Sequence, residues 1–468
     1  MKELADRVNS LDAIWEYAKF CHERWEYSNA QDYYQKYQEQ LEKIKEIDEE
    51  QYVDNFVHLQ NNLADLDLYC INSKSEAIYK ANLEFIDSLL KSKYSANYES
   101  YMAKVQNNLA VLYYNRFRFE ESEAMFLSAL KTRKRLSKLA PSTYGLDLAM
   151  TQNNLADLYR IQGYTKKCEA MYKSTLATFQ RLSKFNPSIY EFDIMMKRDY
   201  FADLCYYYND CYDESEIMCK LSNSNLSVCE LGMAMTQNNL ADFYYHCRRY
   251  YESEKMYKSA LVMFEQLSKS YPSVYELDVA KMRIRLANLY SETRRYAECE
   301  TMYQSALVTL QCLFKSVPSS AIIKNIVETQ TRLAELYRKT GSYAESEAMY
   351  KAVIAIFQHS SKCYLYDSEN VKTRHGLANL YSETRRYAEA EAMYKSALKI
   401  CQRFHFLYSL QEAMIQTHLA DLYRKTQRYS ESEVMYKSAL SIYERLSKSN
   451  PALYEPEVEL IKAKLKEK

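Results

Sequence analysis

The stretch AMTQNNLADLYR, Ala149–Arg160, with YKSTL following at Tyr172–Leu176, sets the frame for the rest of the chain. AMTQNNLAD returns unchanged at Ala234–Asp242, and LANLYSETRRYAE occurs identically at Leu286–Glu298 and Leu377–Glu389. With the Ala of the NLADLY core as a marker, copies fall at Ala64, Ala110, Ala156, Ala202, Ala241, Ala287, Ala334, Ala378 and Ala420, spaced 46, 46, 46, 39, 46, 47, 44 and 42 residues apart. Ala18, another 46 residues before Ala64, marks a divergent first unit near residues 11–45. Self-similarity at such a period signals stacked units that share one continuous core.

Each unit reads as two helices. In the last, Leu419, Ala420, Leu422 and Tyr423 form an apolar stripe that breaks at Thr426–Arg428. Ser432, Met435, Tyr436, Ala439, Leu440 and Tyr443 then recur at i, i+3, i+4, i+7, i+8 and i+11, which predicts a second, longer amphipathic helix. Pro141, Pro187, Pro272, Pro318 and Pro451 all fall at one place, where a helix must stop before the next begins. Only five Gly and six Pro in 468 residues argue against a β-rich fold and long linkers.

Leu, a small residue and Tyr on the first helix, then an aromatic, a small residue, Tyr and Ala on the second, resemble the tetratricopeptide repeat. The longer period is most similar to the lengthened repeats of kinesin light chains and their bacterial relatives. The resemblance implies an all-α, right-handed α-solenoid (superhelix) of about ten helix-turn-helix repeats. The units divide into N-terminal repeats over 1–231, C-terminal repeats over 232–456 and a capping helix at 457–468. The short unit at 202–241, with LSNSNLSVCELG at Leu221–Gly232, is the expected boundary and a candidate hinge.

If Leu155, Ala156, Leu158 and Tyr159 face the core, Asn153, Asp157 and Arg160 lie on the opposite stripe, flanked by Asn154. Equivalent positions are Asn61, Asn62 and Asp65; Asn107 and Asn108; Asn238, Asn239 and Asp242; Arg332 and Arg338; and Arg424. By the resemblance, this stripe lines a concave groove that takes a peptide or partner protein. Amide side chains suit that task, since each can donate and accept toward peptide groups whatever the ligand's side chains. In the C-terminal half the basic positions could attract acidic segments; Glu292, Glu335 and Glu383 could equally neutralise them.

Sixty-two basic and 62 acidic side chains balance, which argues against nucleic acid as a partner. No stretch reads as a leader or a membrane span. The 12 cysteines are too sparse for a disulfide scaffold and suggest a reducing, cytoplasmic setting. Cys205, Cys211, Cys219, Cys229 and Cys247 with His246 match no metal-ligand spacing. No catalytic motif or cofactor fingerprint is present, and the SE pairs of the second helices read as a solvated face. The expectation is therefore a non-enzymatic scaffold with neither cofactor nor metal. A regulatory subunit for a separate effector and a self-assembling array are the alternatives, and oligomeric state is left open.

Overall fold

The computed structural model describes residues 11–23, 27–44, 52–53, 55–60, 62–63, 75–92, 95–184, 228–316, 319–359, 367–403 and 408–466, and among them there is no strand. Two compact units are present, Met1–Ser270 and Tyr271–Lys468. In the first run α1 (Leu11–Glu23), α2 (Tyr27–Ile44), α3 (Ser75–Ser92), α4 (Ala96–Asn115), α5 (Phe119–Leu139), α6 (Pro141–Ile161), α7 (Thr165–Leu182), α8 (Val228–His246) and α9 (Tyr250–Ser270). In the second run α10 (Pro272–Glu292), α11 (Tyr296–Ser316), α12 (Ser320–Thr340), α13 (Tyr343–His359), α14 (Asp367–Glu383), α15 (Tyr387–Arg403), α16 (Ser409–Lys425), α17 (Tyr429–Ser447) and α18 (Pro451–Lys466). Each unit is an all-α solenoid in which paired helices pack on one another and on the next pair.

The first helices are longer than the apolar stripe suggested. Helix α6 has 21 residues against 18 in α7, because Pro141 opens it and Leu146, Ala149 and Met150 are already buried ahead of the Asn pair. Pro141, Pro272 and Pro451 are the first residues of α6, α10 and α18, where a fixed φ is pre-organised and no amide donor is required. The extra length of the repeat is thus shared between both helices.

One Tyr per repeat closes the turn. The carbonyls of Tyr113, Tyr159, Tyr244, Tyr290, Tyr337, Tyr381 and Tyr423 each accept from the amide five residues on, the bond of a Schellman cap. The preceding residue is left-handed. Gly163 and Gly341 fill that position in two turns, but Phe117, Arg248, Arg294, Arg385 and Gln427 hold φ between 57° and 62°. A side chain there costs about 1–2 kcal/mol, partly offset by glycine's extra freedom when unfolded. Arg385→Gly and Gln427→Gly are each expected to stabilise the second unit by about 0.5 kcal/mol, read as a higher urea midpoint at constant m-value.

The same Tyr joins repeats. Tyr113, Tyr159, Tyr244, Tyr337, Tyr381 and Tyr423 donate their hydroxyls to Glu76, Glu123, Glu169, Glu300, Glu347 and Glu391 on the preceding second helix, at 2.9–3.2 Å. Arg118, Arg249, Arg386 and Arg428 bind those acceptors at 2.6–2.7 Å, and each guanidinium covers its own repeat's Tyr ring at 4.2–4.4 Å. Glu76, Glu123 and Glu347 of the SE pairs are therefore joints between repeats, whereas Glu433, 57% exposed and paired with Lys437 of its own helix, does belong to a solvated face. The Ser of these pairs is internal: Ser122, Ser253, Ser346 and Ser432 donate to the carbonyls of Ala110, Ala241, Ala334 and Ala420. Buried Cys168, Cys299 and Ala390 occupy that site elsewhere.

The joint from Tyr244 and Arg249 reaches Glu169, 75 to 80 residues back, where the others span 32 to 42. Helix α8 thus packs directly on α7 as a successive repeat does, across residues 185–227. The marker Ala202 and Leu221–Ser227 of the expected boundary lie outside the described residues; Val228–Gly232 form the first turn of α8. At the other end α18 packs on α17 with Val458 and Ile461 buried. Among the described residues no helix is long and apolar enough to cross a membrane.

Candidate functional site

Consecutive first helices touch in each unit, α4 on α6 on α8 in one and α10 through α16 in the other, which brings the predicted stripe positions together. Leu155, Ala156, Leu158 and Tyr159 are buried, as expected of the residues that hold the stack.

The acidic position of the stripe faces its own repeat as well. The second-helix Tyr fifteen residues on donates to it: Tyr172 to Asp157 at 2.5 Å, Tyr303 to Asn288 at 2.5 Å, Tyr350 to Glu335 at 3.1 Å and Tyr394 to Asn379 at 2.6 Å. Tyr257 to Asp242 and Tyr436 to Asp421 complete the series. Asp157 also accepts from Asn153 at 3.4 Å and Arg160 at 3.5 Å. Sequence pattern alone missed this internal role, although the constant spacing from Tyr to Asp was its signal.

The Asn positions form rungs between neighbouring first helices. Asn107 Oδ1 accepts from Thr151 at 3.3 Å and from Asn154 Nδ2 at 3.5 Å, which closes the rung between α4 and α6. Asn107 and Asn108 are buried within it. One repeat on, the same residue types stand in the same order between α6 and α8, yet the rung is open. Thr236 turns back to the Gly232 carbonyl at 2.7 Å. Asn153 Oδ1, Asn239 Nδ2 and Asn238 Oδ1 are buried with no hydrogen-bond partner among the described residues. Asn238 Nδ2 donates only sideways, to Asn239 Oδ1 at 3.4 Å. In the divergent start of the chain Asn62 donates to the Tyr34 hydroxyl at 3.3 Å, while Asn61 and Asp65 lie outside the described residues.

Three basic side chains of the second unit are matched by carboxylates. Arg332 pairs with Glu328 at 2.9 Å, Arg338 with Glu335 at 2.6 Å and also with Glu383, and Lys339 with Glu335 at 3.7 Å. Arg424 donates to the Lys464 carbonyl at 3.3 Å, and the Lys464 ammonium binds Asp421 at 2.7 Å. Cys168, Cys299 and Cys401 are buried thiols pushed up to about 12 by desolvation, unsuited to nucleophilic work at neutral pH. Among the described residues no group of three metal-capable side chains converges.

A family model described as tetratricopeptide repeat matches residues 102–138, 233–269 and 327–360, and a second of the same description matches 370–445. No curated protein matches the chain. Among solved structures, the apo form of RapI superposes with a TM-score of 0.59 at 11% identity, over 94% of this chain and 98% of that one. The quorum sensor NprR from B. thuringiensis gives 0.47 at 13% identity, over 94% and 99%. BtubC (BKLC) from P. vanneervenii gives 0.44 at 19% identity, over 61% and 92%. At these identities the likeness is one of fold. The matched segments lie on helix pairs described above, and those segments are tetratricopeptide repeats.

Proposed function

We propose that the chain is a non-catalytic interaction scaffold that holds an extended peptide segment of a partner protein against its first helices. The observation that carries this reading is the open rung between α6 and α8. Asn153 and Asn239 are each only 4% exposed, and leaving such atoms unpaired costs on the order of 1–3 kcal/mol apiece. The rung holds one unpaired acceptor, Asn153 Oδ1, and one unpaired donor, Asn239 Nδ2, both out of solvent contact, so a peptide reaches them by locally parting α6 from α8. A peptide group supplies the complement, an N–H and a C=O, independently of side-chain identity. The closed Asn107–Asn154 rung supports a binding role for its open counterpart, because the same residues satisfy one another where nothing else is to be held.

The test is selection of peptides from a random display library on the immobilised full chain. Peptides captured by the wild type are expected to bind about tenfold more weakly to the double variant Asn153→Ala, Asn239→Ala, and N-methylation of one central ligand amide should have a similar effect. Equal binding to both chains would move the interface elsewhere, and self-association as the only interaction would favour an assembling array. Because Arg332 and Arg338 are matched by Glu328, Glu335 and Glu383, binding should change less than about twofold between 50 and 200 mM salt. A steep decline would instead favour an acidic partner on the C-terminal repeats.

A further inference from the structure

Between α14 and α16 the Asn rung is replaced by histidines. His375 stands two positions before Leu377, as Asn107 does before Leu109, and His418 stands one before Leu419, as Asn154 does before Leu155. Nε2 of His375 and Nδ1 of His418 lie 2.6 Å apart, with ring centroids 4.9 Å apart and planes tilted by 35°. At that distance the two nitrogens share one proton. A second would set two N–H groups against each other. We propose that the His375–His418 rung is an acid-labile joint of the second unit, closed near neutral pH and opened when the accepting imidazole takes up its own proton.

The surroundings favour opening over tolerance of a second charge. His375 faces Glu335 and Arg338 from α12 and the Tyr394 ring from α15. His418 faces Asp421 and Lys425 of its own helix, Arg338 of α12 and Lys464 of α18. Both carboxylates are already committed, Glu335 to Arg338 and Tyr350 and Asp421 to Lys464 and Tyr436, so neither balances a new imidazolium. Burial, reinforced by His418, pushes His375 down to about 3, and burial likewise lowers His418. Groups lowered on folding from the ordinary value of about 6.5 stabilise the closed form fully above that pH; His375 loses its contribution as pH falls toward about 3, and His418 loses its own in the same direction. Since two rings take up protons on opening, the opening equilibrium should rise by up to about 100-fold per pH unit within that window.

The experiment compares the full-length wild type with the double variant His375→Asn, His418→Asn, which restores the amide rung. Hydrogen-exchange protection of α14 and α16 is measured at pH 7.5 and 5.0, with α4 and α6 as internal reference. The wild type should lose at least about tenfold in protection at α14 and α16 relative to the reference, and the variant should not. Equal loss in both proteins overturns the proposal. Should the variant fail to fold, titration of the assigned ring signals of His375 and His418 in the wild type decides: both imidazoles neutral down to about pH 5 support the joint, and both titrating near about 6.5 refute it. None of this depends on whether the first-helix face binds a peptide.

Discussion

Glu391→Ala is expected to destabilise the second unit by about 2–3 kcal/mol, read as a lower urea midpoint. The carboxylate accepts from Tyr423 at 3.1 Å, Arg428 at 2.6 Å and Lys395 at 2.7 Å, with its side chain 20% exposed. Its removal leaves the Tyr423 hydroxyl facing a packed interface and the Arg428 guanidinium without its inter-repeat acceptor, so the loss exceeds that of an ordinary surface pair. Glu391→Gln keeps an acceptor for the hydroxyl and should cost about half as much. A double-mutant cycle with Arg428→Ala should be non-additive; additivity would mean that the joint contributes nothing beyond packing.

The same residues make the chain acid-sensitive. Arg118 beside Glu76, Arg386 beside Glu347 and Arg428 beside Glu391 hold these carboxyls at about 2, below the ordinary value near 4.5. A carboxyl lowered on folding binds fewer protons than its unfolded counterpart, so its contribution is complete above about pH 5 and disappears between about 5 and 2. Glu391→Gln should therefore flatten the acid limb of the stability curve, whereas the histidine rung acts at higher pH.

The largest loss is expected for Gly376→Val, about 3–4 kcal/mol from overpacking and a broken buried hydrogen bond. A Cβ at Gly376 would stand 2.5 Å from the Tyr350 hydroxyl oxygen and 2.6 Å from its Cζ. Tyr350 is 1% exposed and donates to Glu335, so its ring can withdraw only by opening the core that joins α12, α13 and α14. Tyr350→Leu should recover part of the loss in the double variant, measured by thermal unfolding at fixed concentration. If Gly376→Val unfolds as the wild type does, the close approach does not persist in solution.

The helix pairs were legible because NLADLY and its second-helix partner keep a helical period through every copy, and Leu155, Ala156, Leu158 and Tyr159 sit where that period puts them. The length of the first helix was less legible, since its early turns carry Gly145 and Asp147 among apolar residues and blur the stripe. The polar positions were hardest to read. Periodicity assigns Asp157 to a face but not to the Tyr172 hydroxyl that reaches it from another helix, and assigns Glu391 to a surface that the next repeat covers. Identical Asn pairs behave differently at successive junctions, which no single copy reveals.

The split joint also bears on how such a chain can lengthen. At six junctions within the two units a repeat presents a Glu toward its successor and the successor a Tyr, usually with Arg, toward its predecessor, so these connectors are complementary head to tail and nearly the same. A copied unit therefore arrives with both halves of its linkage and needs no compensating change in its neighbours. Helix α8 makes the same linkage to α7 although residues 185–227 separate them in sequence. The array behaves as a polymer of interchangeable monomers, free to vary the residues between its connectors.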